Sequence, residues 1–217
     1  METNFNLSER DLSPRGQEPL AAAARLFYVQ GYPQTTTREI TNACGLTPGA
    51  LYNHFSSKEE ILWVIVEGAY TKTAEVCEEA VRKGNGDPAS ELRELIFAMT
   101  KLHTSDYQVQ AIVARGERRR LPKKQIAEIE EIHDRIRQAF TTTLTRCIEA
   151  GLVELPEIGG EPPDLWTVAR ALIGFCIYPG FWYAEDEPLS PEQLADLFST
   201  LIARMLLQGD AAPPSAL

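Results

Sequence analysis

Apolar positions recur every three to four residues through nearly the whole chain, and no segment alternates with the period of two that a half-buried strand requires. The pattern predicts an all-α fold. A first helix over about 17–30 stops at Gly31, and Pro19 in its first turn puts its start near Glu18. A helix over 58–83 runs until GNGDP breaks it, with Trp63, Val66, Tyr70 and Ala74 on one stripe. At 1.5 Å per residue that helix is about 39 Å long, enough to act as a lever connecting the N-terminal helices to the C-terminal ones. Leu92, Leu95, Ile96, Met99 and His103 predict a helix over 89–107, followed by another over 108–120. The stripe Ile126, Ile129, Ile136, Phe140, Leu144, Ile148 predicts an amphipathic helix over 123–151 that stops at Gly151. Asp164 caps a helix toward Tyr178 that is apolar nearly all round, which predicts burial partly against a second subunit. A last helix over 191–208 carries Leu194, Leu197, Leu201 and Met205. The helices over 123–151 and 164–178 are expected to form a four-helix dimer interface.

The stretch 35–62 carries the densest local signals. Thr36 with Glu39 has capping-box spacing, and Ile40 and Ala43 give an apolar face to a helix that ends at Gly45. Thr47 caps a second helix with Pro48 at its first position, over 48–54, with Leu51 and Phe55 turned inward. Ser56 or Ser57 caps the next helix at Lys58. Two short helices across a glycine turn make a helix-turn-helix whose second member fits a DNA major groove. Gly49 and Ala50 let the backbone approach base edges, and Tyr52, His54 and Lys58 offer donors where phosphates run. Arg38 could reach a guanine edge or a phosphate. The same signals also suit an αα-hairpin in a helical bundle.

The net charge of −10 over 217 residues argues against indiscriminate coating of nucleic acid, and the first 60 residues hold five basic against seven acidic side chains. A DNA contact must therefore rest on locally placed cations and helix N-termini, and its binding should be site-specific and salt-sensitive. Cys44, Cys77, Cys147 and Cys176 lack C-x-x-C spacing and sit in apolar helical contexts, as buried free thiols or, alternatively, a redox sensor. His54, His103 and His133 are too scattered to imply a metal, and no cofactor motif is present. The N-terminus lacks an apolar signal core, and the longest uncharged run, 171–184, is 14 residues and contains Pro179. A cytoplasmic protein without a membrane span is expected.

The run Arg115, Arg118, Arg119, Arg120, Lys123, Lys124 is either a solvated face or a site for an anionic ligand, with Arg115 and Arg119 the headgroup candidates. Trp63, Phe97, His103, Tyr107, Trp166, Phe175, Tyr178 and Trp182 are candidate effector contacts, each equally readable as core packing. An enzyme reading finds no nucleophile elbow, metal spacing or phosphate-cradling glycine loop; a helical adaptor is the other rival.

Ala23, Leu26, Phe27, Gly31, the Thr36–Thr37 pair, Ile40, Gly45, Gly49, Leu51, Tyr52, Phe55 and Lys58 stand at one uninterrupted spacing that resembles the DNA-binding module of TetR-family transcriptional regulators. Cys44 departs from the family's usual alanine. The resemblance implies a three-helix head over 15–62, with a mobile arm over 1–14. A helical ligand-binding and dimerisation domain over 63–208 and a flexible tail over 209–217 would complete the chain. It implies double-stranded DNA as partner, through Thr36, Thr37, Arg38, Thr47, Pro48, Gly49, Ala50, Tyr52, Asn53, His54 and Lys58. In that reading Arg38, Gly49, Ala50 and Asn53 face bases, Tyr52 and Lys58 grip phosphates, and His54 borders them. ERRRLPKK (117–124) and FWYAEDEPLSPEQL (181–194) are similar to a subgroup that responds to acyl-coenzyme A thioesters, although residues 184–187 read Ala-Glu-Asp-Glu where that subgroup carries Arg-Pro-Asp-Gly. The expectation is a homodimeric repressor on a palindromic operator, released by a small hydrophobic or acyl-coenzyme A effector.

Overall fold

A computed structural model describes residues 14–184 and 186–207; residues 1–13 of the expected arm over 1–14, Glu185, residue 208 and the expected tail over 209–217 lie outside the described residues. Nine α-helices and two 3-10 turns are found there: α1 (Pro14–Gln30), α2 (Thr37–Ala43), α3 (Pro48–Tyr52), α4 (Lys58–Lys83), α5 (Pro88–His103), α6 (Gln108–Glu117), the turn Arg118–Arg120, α7 (Lys123–Glu149), α8 (Leu165–Ile177), the turn Tyr178–Phe181, and α9 (Pro191–Leu206). No strand forms among the described residues, only isolated bridges at Val153–Leu207 and Ile158–Glu161.

The chain packs as two units whose boundaries do not follow chain order. The first holds the described residues up to Thr73 together with Asp106–His133; the second holds Ala74–Ser105 and the described residues from Asp134 onward. In the first, Leu20, Ala23 and Phe27 of α1, Ile40, Leu51, Phe55 and the run Ile61–Val66 share one core with Val113, Ala114, Leu121 and Ile129. In the second, α5 packs against α8 and α9, and Leu92, Leu95, Ile96, Met99, Phe140, Leu144, Leu172, Ile202 and Ala203 are buried.

Several ends differ from the sequence expectation. α1 begins at Pro14, whose fixed φ suits a first helical position, and Pro19 lies inside the helix at the cost of one backbone bond. α5 stops at His103 because Thr104 donates to the Thr100 carbonyl at 2.9 Å and Ser105 to that of Leu102 at 2.7 Å, satisfying the last turn without further helix. α6 ends at Glu117 and tightens into the 3-10 turn. Gly151 ends α7 after Glu149, its amide bonded to the Ile148 carbonyl and that of Leu152 to the Cys147 carbonyl. Ala43 is exposed, and the buried face of α2 is Ile40 and Thr41. Cys44 is half-buried rather than buried.

The two helices of the expected dimer pairing, 123–151 and 164–178, differ in the apolar surface they leave open. Ile136, Phe140 and Leu144 of α7 are covered within this chain, so they offer nothing to a second copy. Apart from Ile158 in the loop before α8, the large apolar side chains left open in the second unit lie on α8 and the turn after it (Phe175, Tyr178, Phe181, Trp182) and on α9 (Leu197, Leu201, Met205). α8 is accordingly not buried all round.

Candidate nucleic-acid interface

The helix-turn-helix is held by caps that its sequence spells out. The Thr36 hydroxyl accepts from the Glu39 amide at 3.2 Å, and the Glu39 carboxylate accepts from the Thr36 amide at 2.7 Å. That backbone bond holds the Glu39 carboxyl below the usual carboxylate range. At the other end of α2, Gly45 adopts φ +66°, its amide bonds to the Asn42 carbonyl and that of Leu46 to the Thr41 carbonyl at 2.9 Å. This left-handed stop turns the chain sharply into α3. Thr47 accepts from the Ala50 amide at 3.2 Å, and Pro48 fills the first helical position. Leu51 and Phe55, both under 3% exposed, anchor α3 to the core.

Anchoring those two residues leaves the rest of α3 facing outward. Thr47, Pro48, Gly49, Tyr52 and Asn53 are exposed, and Ala50 and His54 are half-buried. A side chain placed at Gly49 would meet nothing within 4 Å, so the backbone there is open to any approaching surface. On α2, Thr36 and Arg38 are exposed and Thr37 half-buried. These residues make one polar, nearly uncharged face whose single fixed cation is Arg38, with hydroxyls, amides and the α3 N-terminus as donors.

Lys58 is placed differently from that face. Its Nζ donates to the Tyr32 carbonyl at 2.9 Å and to the Thr35 carbonyl at 2.8 Å, and lies 4.3 Å from the Tyr32 ring centroid. Sequence reasoning missed the residues it serves. Thr35 is 1% exposed and its hydroxyl donates to the Gly31 carbonyl at 2.9 Å. Tyr32 donates its phenol to Glu59, and burial together with that carboxylate pushes the phenol up to about 12. The only local hint was an aromatic residue between Gly31 and Pro33. Ser57, not Ser56, caps α4, accepting from the Glu60 amide at 3.1 Å.

The basic run is partly neutralised where it stands. Arg118 lies 3.2 Å from both Glu130 and the Tyr70 hydroxyl, Arg120 pairs with Glu117, and Arg115 and Arg119 are exposed. The effector candidates divide between the units. In the first, Trp63 is core and Tyr107 donates its hydroxyl to the Gly68 carbonyl at 3.3 Å. In the second, Phe97 lies 5.7 Å from the Lys101 ammonium, and His103 is buried with Nδ1 2.8 Å from the Met99 carbonyl. Trp166 there lies 5.8 Å from the Arg137 guanidinium and 5.6 Å from that of Arg170. Phe175, Tyr178 and Trp182 are on the open apolar surface rather than inside. No cluster of three metal-binding side chains is found among the described residues, and no helix there is long and apolar enough to cross a membrane.

Residues 20–63 match the model of bacterial regulatory proteins of the tetR family, and residues 85–206 match the tetracyclin repressor-like C-terminal domain. The chain is 32% identical over 165 residues to the HTH-type transcriptional regulator AcrR of Shigella flexneri, covering 72% of this chain and 71% of that protein. Among solved structures, AibR in complex with isovaleryl coenzyme A and operator DNA is 25% identical with a TM-score of 0.73, over 88% of this chain and 97% of that one. The ketosteroid transcriptional regulator KstR2 of Mycobacterium tuberculosis shares the fold at a TM-score of 0.80 and 23% identity, over 94% of this chain and all of that one.

Proposed function

The chain belongs to the TetR family of bacterial regulatory proteins, and from that premise we propose that it reads a palindromic operator as a homodimer and releases it when a small effector binds. It is a ligand-responsive, DNA-binding transcriptional regulator. The observation that carries the operator reading is the outward face of α3. Two apolar anchors fix that helix while Thr47, Pro48, Gly49, Tyr52 and Asn53 stay open and Gly49 permits contact with base edges. Thr36, Thr37, Arg38, Ala50 and His54 complete the contact surface in this reading, within a head spanning 15–62. The C-terminal domain over 63–208 takes the effector, and the protein works in the cytoplasm as a regulator rather than an enzyme.

Homodimerisation through α8 and α9 is supported by the exposed apolar side chains those helices carry. Two-fold symmetry then requires half-sites separated by roughly a helical turn or somewhat more. An acyl-coenzyme A thioester is the effector class we favour, since AibR was solved with isovaleryl coenzyme A. The effector acts only through its different affinity for the DNA-binding and released states.

The test is selection of bound fragments from the source genome by the purified protein, with and without a mixture of acyl-coenzyme A thioesters. Enrichment of one palindrome that the thioesters abolish is the expected result. Enrichment indifferent to thioesters would discard the effector class and keep the operator reading. A folded dimer that enriches nothing at moderate salt would overturn the proposal.

A further inference from the structure

We infer that the basic run where α6 meets α7 is a second nucleic-acid contact, in which Arg119, Lys123 and Lys124 take backbone phosphates of the DNA flanking the half-site that α3 reads. This rests on the operator reading above. Lysine and arginine contacts to phosphate supply a large share of a protein's affinity for DNA. The helix-turn-helix head brings little net charge to that task. Residues 14–62 hold four basic side chains, Arg15, Arg25, Arg38 and Lys58, against four acidic ones. Residues 115–124 hold six basic side chains against Glu117 alone.

The run is distant from the head in sequence but built into it. Val113, Ala114, Leu121 and Ile129 share the core of Leu20, Phe27, Leu51 and Phe55. Glu117 reaches the turn between α1 and α2, its carboxylate accepting from the Tyr32 amide at 3.5 Å and from Arg120. Arg120 stands close enough to the Tyr32 phenol for its charge to favour the ionised form, and that phenol donates to Glu59 in the first turn of α4. The run therefore adjoins the turn that leads into Thr36, Thr37 and Arg38, at one edge of the reading face. A DNA strand that meets those three residues continues past the turn toward the run.

Pairing leaves the charge of the run facing outward. Glu117, its single acid, is 16% exposed and spent on Tyr32 and Arg120, while Arg118 is held by Glu130 and the Tyr70 hydroxyl. Arg119, between those two arginines in a three-residue turn, and Lys123, at the start of α7, are exposed and paired with no carboxylate among the described residues. Lys124 is 89% exposed, with Glu128 no nearer than 3.9 Å. Both lysines stand in the first turn of α7, which carries no acid, and there they act against the helix macrodipole. Helix stability gives no reason for cations at that end; a polyanion beside it does.

The experiment uses the full-length dimer and the palindromic fragment recovered from the genome, extended on each side by about one helical turn. A matched fragment of the same length carries neutral methylphosphonate linkages in those extensions. Wild-type protein should bind the neutral-flank fragment more weakly, with a slope of log K against log salt shallower by about two, for one phosphate per protomer. The triple variant Arg119→Gln, Lys123→Gln, Lys124→Gln should show that shallower slope on the charged fragment and no longer distinguish the two fragments. Its loss of affinity should be the same on every operator sequence, because phosphates carry no base information. Glutamine is a good helix former and all three positions are exposed, so circular dichroism and sedimentation should match wild type. Wild-type indifference to flank charge would overturn the inference without any variant. A folded triple variant that keeps the wild-type slope, or still distinguishes the fragments, would overturn it too. Coenzyme A also carries phosphates. A triple variant that binds both fragments like wild type but needs more acyl-coenzyme A for release would assign the run to the effector, and against DNA. Failure of the wild-type protein to bind any fragment would instead remove the operator reading.

Discussion

The Arg146 guanidinium lies 2.6 Å from both carboxylate oxygens of Glu91, whose side chain is 3% exposed. Its second terminal nitrogen donates to the Gly86 carbonyl at 2.6 Å, so one arginine on α7 closes the loop between α4 and α5. Gly84 lies against the Glu91 backbone so closely that a methyl there would sit 2.6 Å from the Glu91 nitrogen. Removing the arginine leaves a carboxylate without its counter-ion in a place water barely reaches. Arg146→Met should cost toward the lower end of about 3–5 kcal/mol, because the arginine side is partly solvated. Urea unfolding should show a lower midpoint at an unchanged slope. Replacing both partners, Glu91→Leu with Arg146→Met, should recover much of the loss; a double variant as unstable as the sum of the singles would refute the pairing argument.

Gly49 separates stability from DNA reading. Open space surrounds it, and glycine inside a helix is poorer than most residues by roughly 0.5–1 kcal/mol, so Gly49→Leu should melt at the same temperature or higher. The same side chain would hold the backbone away from base edges. Operator affinity should fall by at least about tenfold, the cost of one lost base contact. A variant that binds as well as wild type would mean α3 does not enter the groove with this face.

How readily the fold could be read from the sequence tracked the range of each interaction. The Thr36–Glu39 box, the Gly45 stop, the Thr47–Pro48 start and the full extent of α4 were legible because each is settled within a few residues. The Lys58–Thr35 and Arg146–Glu91 bonds join residues 23 and 55 positions apart, and a periodic pattern carries no trace of them. Periodicity likewise identified apolar stripes on α7, α8 and α9 without revealing which ones the chain covers for itself. Ile136, Phe140 and Leu144 are spent internally while Leu201 and Met205 are left open. Composition could not resolve that choice, since both stripes are built from the same residue types.

Thiol labelling should follow burial. Burial pushes the Cys176 thiol up to about 12 and the Cys147 thiol up to about 11, and raises that of Cys77 further. Cys44 is raised by burial as well but is half-buried, its thiol donating to the Ile40 carbonyl at 3.1 Å. In native protein at mildly alkaline pH, iodoacetamide should modify Cys44 first and the other three only after unfolding, as peptide mass mapping would read. Rapid native labelling of Cys77 or Cys176 would contradict the packing described.

Acid stability should carry a small contribution from Glu78. Arg135 grips its carboxylate at 2.7 and 2.9 Å and holds it below its ordinary value of 4.5. A carboxyl depressed in the folded state stabilises above its unfolded value, and that contribution disappears as pH falls through the folded one. Both side chains are over 40% exposed, so the pair is worth no more than about 1 kcal/mol. Arg135→Gln should therefore lower stability slightly at pH 7 and not at all at pH 2, in parallel urea titrations. A difference that persists at pH 2 would assign the loss to packing instead.

Leu201 tests the interface. It is 48% exposed on α9, close in sequence to Met205 at 72%, and α8 adds Phe175 at 52%. Side chains of this size rarely stay in water together on an isolated domain, which is why a second copy is the expected cover. Leu201→Arg places a charge where the partner's apolar face would lie and touches little inside its own chain. Helical content by circular dichroism should stay as in wild type, and sedimentation at micromolar concentration should shift from dimer to monomer. Each head would then meet its half-site alone, losing the effective concentration that tethering supplies, so affinity for the full palindrome should fall by about 10²-fold or more. A variant that remains dimeric, with operator affinity intact, would place the two-fold axis elsewhere and return the open faces of α8 and α9 to the unexplained.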